Sequence, residues 1–239
     1  MNELAGLVSS FKQGGPVMYA ILGIGVVAAA IALERFLIIS AASVLNGKRL
    51  TKDVIGHINR GDWNAARNTS KKANAAAAQV VQAVLAVPEL DEAKLQSAAD
   101  DAAALAMPPL TRRLAHLNVL ANIATLVGLL GTITGLITAF QAVGAADPSQ
   151  RSAFLASGIS MALNATAFGL LVAIPTLVTQ GFLVGLVEGI AEQVEESGIR
   201  VTRALLASAA RGQVVPMPAR PTQGAPAARG PYAPQGGTP

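Results

Sequence analysis

The sequence predicts an all-α integral membrane protein, with three transmembrane helices and long cytoplasmic helical extensions. Three observations predict that class. Of 239 residues, 52% are hydrophobic and only 13% charged, with a mean hydropathy of +0.47; a soluble chain carries about a quarter charged residues. Charge-free runs fall at Gln13–Leu33 (21 residues), Leu114–Ala146 (33) and Ser152–Val187 (36), and about 20 residues suffice to cross the hydrocarbon core. No period-two alternation competes with the helical pattern.

The elements follow in order. Residues 1–13 read as an outer-face amphipathic segment, because NELAGLVSSF can lie as a short helix on the membrane until Gly14-Gly15-Pro16 breaks it. Transmembrane helix 1 occupies 14–40. Lys12 before an apolar core and Ala30-Ile31-Ala32 resemble a cleavable leader. The apolar stretch is long for a leader, however, and ends in Glu34-Arg35, so it reads as a retained span. Residues 41–113 form a cytoplasmic helical domain. In it, ANAAAAQVVQAVLAV stops at Pro88, LDEAKLQSAADDAAALAM resumes with acidic residues in its opening turns, and Pro108-Pro109 interrupts or kinks the run. Gly61-Asp62 marks a turn before Trp63, a packing residue. Transmembrane helix 2 (114–143), a periplasmic loop (144–152) and transmembrane helix 3 (153–187) come next. A cytoplasmic C-terminal helix (188–211) precedes a tail (212–239) with seven prolines and five glycines, which cannot bury a core and reads as disordered.

Orientation follows from Lys and Arg. Residues 34–113 hold eleven of them and the segment after the third span five more, against Lys12 before the first span and Arg151 between the last two. The positive-inside rule places the N-terminus and residues 144–151 outside and the C-terminus in the cytoplasm. The positive charges are interleaved with Asp62, Asp91, Glu92, Asp100 and Asp101, which argues against nucleic acid as a partner. Cysteine is absent, and no metal-ligand cluster, cofactor motif, nucleophile–base pair or phosphate-cradling loop is present. The sequence therefore points away from an enzyme and implies no cofactor.

The faces of the last two spans carry the chemistry. At steps of three and four, Thr125, Gly128, Thr132, Gly135 and Ala139 share one face of span two. Gly158, Ala162, Thr166, Gly169, Ala173 and Thr176 share one face of span three. One reading makes both stripes helix–helix contacts, since small residues let backbones approach closely in lipid. The other sets them in a ring of subunits, where two small, hydroxyl-bearing stripes line a shared central space that admits a partner helix or water. Asn164 lies on another side of its helix and suits a hydrogen bond between subunits. No Asp, Glu, Lys or Arg lies within either charge-free run. Ion and proton pathways usually need an intramembrane ionisable group, so a proton relay would need an acid from elsewhere.

Several stretches resemble the MotA/TolQ/ExbB proton-channel family, most closely its ExbB/TolQ branch. GGPVMYAIL with ALERFL is similar to the family's first span. GLLGTITGLITAF resembles the second-span signature, and GISMALNATAFGLLVAIP the third. The resemblance implies a homopentameric ring in the bacterial inner membrane, in contact with its lipids. The ring would enclose a dimer of a single-span ExbD/TolR-like partner that supplies a proton-carrying aspartate. The family's pore threonines fall on Thr132 and Thr166, and Thr125 extends the same stripe. The implied function is a proton-channel or stator subunit using the proton motive force to do mechanical work on the cell envelope. A stator of gliding or flagellar motility, and a non-conducting scaffold paralogue, remain open. Three departures bear on that choice. Met161 stands where the branch usually has glutamate, Ala124-Thr125-Leu126-Val127 replaces Ala-Pro-Leu-Leu, and Ala20 replaces a first-span proline.

Overall fold

The computed structural model describes residues 11, 14–42, 44–73 and 75–212, without the side chains of 44–46. Apart from Phe11 and Gly212, the outer-face segment and the Pro/Gly-rich tail expected from the sequence lie outside the described residues. Among the described residues the chain is helical and contains no strand.

Helix α1 (Val17–Ala41) is the first of three helices, among the described residues, that are long and apolar enough to cross a membrane. Four helices and a short turn follow: α2 (Val44–Asn59), α3 (Trp63–Lys72), α4 (Ala76–Ala86), α5 (Glu92–Ala106) and α6 (Pro108–Thr111). Several boundaries have a local cause. Gly61 takes φ +76°, and the Asp62 carboxylate caps α3 by accepting from Ala65 N–H at 3.0 Å. Pro88 follows the end of α4, and Pro108 opens α6 at a position where a missing N–H costs nothing. The second and third apolar helices, α7 (Leu114–Ala145) and α8 (Arg151–Ala210), pack along one another as an antiparallel hairpin.

Helix α8 runs unbroken for 60 residues, about 90 Å at the α-helical rise. The expected third span and C-terminal helix are therefore one rod. Pro175 lies inside it, where its ring removes one backbone hydrogen bond without ending the helix. The far half of the rod packs with α2–α5 around Val54, Ile58, Trp63, Val80, Val84, Leu95, Val194, Val201 and Leu205. That core carries polar ties as well. Thr51 Oγ1 lies 2.7 Å from Ser197 Oγ, both buried, which fixes α2 on α8.

The apolar windows of the three long helices have mean hydropathies of 2.2, 2.0 and 2.1, and no more than 28% of any window is buried within the chain. Their outward residues, among them Tyr19, Val26, Leu126, Leu130, Ile137 and Phe182, are exposed. Such a surface requires lipid or other subunits around it.

Candidate functional site

The site expected from the sequence lies on the α7–α8 hairpin, and the structure divides its residues into two groups. Gly128, Gly135 and Ala139 of α7, with Gly158, Ala162, Gly169 and Ala173 of α8, are all buried. They face one another within the chain. A Cβ on Gly169 would stand 2.8 Å from the Ala124 carbonyl oxygen, and one on Gly135 3.0 Å from Ala162 Cα. Backbones this close are a packing seam of the kind small residues form in lipid. The open face foreseen for these small residues is thus occupied by the chain's own partner helix. The hydroxyls, rather than the glycines and alanines, remain available to a shared space.

The threonines stand at the margin of that seam. Thr132 is half-buried and Thr125 exposed; their Oγ1 atoms donate to Leu129 O at 2.6 Å and Ala121 O at 3.1 Å. Such back-bonding satisfies the hydroxyl proton and leaves the oxygen lone pairs free to accept. Thr166 does something different. Its Oγ1 donates to Gly128 O across the seam at 3.2 Å, tying α8 to α7. Beside these groups the hairpin exposes Leu129, Leu136, Leu163, Leu170 and Leu177. The face offered next to the hydroxyls is therefore apolar and free of fixed charge. Asn164 is half-buried on the flank of α8. Met161 points elsewhere, its methyl group lying over Gly15 at the start of the first span. The substituted glutamate position thus belongs to the contact between α8 and the segment leading into α1.

Two features of the site region escape sequence reading. The first is a knot at the Arg113 end of the hairpin. Arg35, only 4% exposed, donates from Nη1 to Pro109 O at 3.1 Å and Arg112 O at 3.0 Å. Its Nη2 lies 2.8 Å from Glu34 Oε1, and Glu34 also takes Arg113 Nη1 at 2.8 Å. Arg113 adopts φ +65°, so the chain turns sharply between α6 and α7. The Arg35 guanidinium supplies donors to carbonyls stranded at the helix end. Pro108-Pro109 signalled an interruption, but nothing local reveals that a residue 74 positions away completes it. The second feature is an amide pair on the exposed side of α7, Asn122 Nδ2 donating to Asn118 Oδ1 at 2.8 Å. Stepping back from Thr132 through Thr125 by threes and fours would have reached it.

Comparison with known proteins covers the same region of the chain. The sequence model described as the MotA/TolQ/ExbB proton channel family matches residues 68–196, more than half of the chain and the whole of the α7–α8 seam. A Methanothermobacter thermautotrophicus protein named as a biopolymer transport protein ExbB homolog is 26% identical over 201 residues, 82% of this chain and 69% of that one. A Synechocystis sp. ExbB-like 3 protein is 29% identical over 165 residues, 69% of this chain and 78% of its own length. The biopolymer transport protein ExbB of Aquifex aeolicus reaches 40% over 75 residues, 31% of this chain and 50% of that protein. With three long apolar helices, a tight Gly/Ala hairpin and this match across it, the chain is a multi-pass membrane protein of the MotA/TolQ/ExbB proton channel family.

Proposed function

We propose that this chain is the ring-forming subunit of a proton-driven motor, with its N-terminus outside the inner membrane and its C-terminus in the cytoplasm. Five copies enclose a single-span, ExbD/TolR-like partner dimer whose aspartate carries the proton. Thr132 and Thr166 present hydroxyls to that aspartate, and proton passage moves the partner to do work on the cell envelope. One observation carries the reading: hydroxyls border a seam in helices that hold no acidic or basic residue within their charge-free runs. A carboxylate in a low-dielectric space needs hydrogen-bond partners to change its protonation readily. Hydroxyls supply these without a fixed charge that would lock one state. The apolar residues beside them suit a partner helix that slides or rotates, since they offer contact without directional bonds.

The Met161 departure does not weigh against conduction. That side chain lies over Gly15, in a contact separate from the hydroxyl margin. The proposal is tested by native mass spectrometry of the complex extracted in mild detergent from its host. A mass of five copies with two of a single-span, aspartate-bearing chain is expected. Monomer alone in every mild detergent would overturn it.

A further inference from the structure

A cleft of about 250 Å³ opens between α5 and the far half of α8. That is smaller than the roughly 300–1,000 Å³ of a small-molecule pocket, and suits a few side chains of a peptide. Ala99, Ala103 and Gly198 form its floor. A Cβ on Gly198 would stand 3.0 Å from Ala99 Cβ, so the two helices meet closely beneath it. Asp100 and Glu195 are exposed at its rim, and Gln96 Nε2 donates to Asp100 Oδ1 at 2.9 Å. Among the described residues no basic side chain lines it. An apolar floor beside unneutralised carboxylates calls for a cationic, partly apolar ligand.

The chain carries such a segment beyond α8. Residues 213–239 hold Arg220 and Arg229 and no acidic residue. Gly212, at φ +75°, donates its N–H to Ala209 O at 2.9 Å and ends α8 in a left-handed turn. From Ala210 back to Glu195 is about 22 Å along the helix. From Ala210 forward to Arg220 is about 31 Å of extended chain, enough to reverse and reach the rim. Pro216, Pro218 and Pro221 favour that extended, polyproline-type conformation. Its three-residue period puts Val214, Met217 and Arg220 on one edge, apolar first and basic last. Chain returning along α8 meets Gly198 before Glu195, which is the same order.

We propose that residues 214–221 of the chain's own tail dock in the α5–α8 cleft, with Met217 over the Ala99–Gly198 floor and Arg220 against Glu195 and Asp100. Ion pairs at an exposed rim contribute little each. The short tether supplies the rest by keeping the tail at high effective concentration. Docked, the tail straps α5 to α8. The proposal is independent of proton conduction, because its readout is a contact and not a flux.

The chain has no cysteine, so a pair of introduced cysteines reports the contact. The full-length protein is extracted from its host in mild detergent and oxidised with copper phenanthroline. Ala103→Cys with Ala219→Cys should form a disulfide within one chain at least tenfold faster than Lys52→Cys with Ala219→Cys. Lys52 is an exposed control on α2, at the height of Ser197 because its neighbour Thr51 bonds that residue. Adding Arg220→Glu should slow the Ala103→Cys crosslink several-fold, and adding Glu195→Arg as well should restore part of the rate. That rescue separates charge pairing from a disturbed fold. Equal rates at the two positions, or a rate untouched by Arg220→Glu, overturn the docking. A disulfide joining two copies would put a neighbour's tail in the cleft and overturn docking within one chain.

Discussion

Gly169 and Arg35 show how single side chains fix this molecule. A methyl group on Gly169 would meet the Ala124 carbonyl at 2.8 Å and Gly128 Cα at 3.1 Å, both backbone atoms that can yield only if the helices part. Gly169→Ala should therefore destabilise the hairpin by about 1–3 kcal/mol, the usual cost of overpacking. Gly181→Ala, where a Cβ meets nothing within 4 Å, should be neutral or slightly stabilising, and thermal unfolding of the two variants in detergent checks the contrast. At the other end of the hairpin, Arg35→Met removes donors from Pro109 O and Arg112 O together and leaves Glu34 with Arg113 alone. Breaking a buried, charge-assisted set of this kind costs about 3–5 kcal/mol. Arg35→Lys should recover part of that loss, because one ammonium cannot reproduce the guanidinium fork. Folded yield in the membrane reads both variants.

At the scale of elements, the long apolar helices were legible because charge-free runs measured against bilayer thickness leave few alternatives. The small-residue faces of α7 and α8 were legible too, since steps of three and four gather Gly128, Gly135, Gly158, Ala162 and Gly169. What they pack against was not. The same stripe serves a neighbouring helix of one chain or a space between chains, and only coordinates show Gly169 beneath the Ala124 carbonyl. The amide pair Asn118–Asn122 is legible in sequence only as a spacing of four on one face, and the bond between the two shows in the coordinates. The Arg113 turn was hidden because a left-handed arginine depends on contacts 77 and 79 positions away. Polar ties between elements are equally invisible in sequence. Thr51 and Ser197 lie 146 positions apart yet share a buried bond. Thr51→Val leaves the Ser197 hydroxyl without that partner and should cost about 1–3 kcal/mol, with Thr51→Ser costing little. Denaturant midpoints of the purified protein distinguish the two.

For the whole molecule, the proposed orientation makes a direct prediction. Reporters fused at residue 148 should score outside and reporters at residues 60 and 200 inside, because Lys and Arg concentrate in 34–113 and after the third span. A cytoplasmic signal at residue 148 would invert the molecule and with it the direction of any proton path. The long helix α8 joins the α7–α8 seam to the core it forms with α2–α5, and Pro175 lies between the two. The central claim is that the hydroxyls of Thr132 and Thr166 serve a moving proton. The packing alternative attributes only ordinary intramembrane hydrogen bonds to them, averaging about 0.6 kcal/mol, too little to silence a motor. The deciding measurement is proton flux through the intact complex carrying Thr132→Val or Thr166→Val, compared with the matching serine variants at equal assembly. Valine keeps the shape and removes the hydroxyl, so flux should fall at least tenfold with valine and largely survive with serine. Undiminished flux in both valine variants would contradict the account.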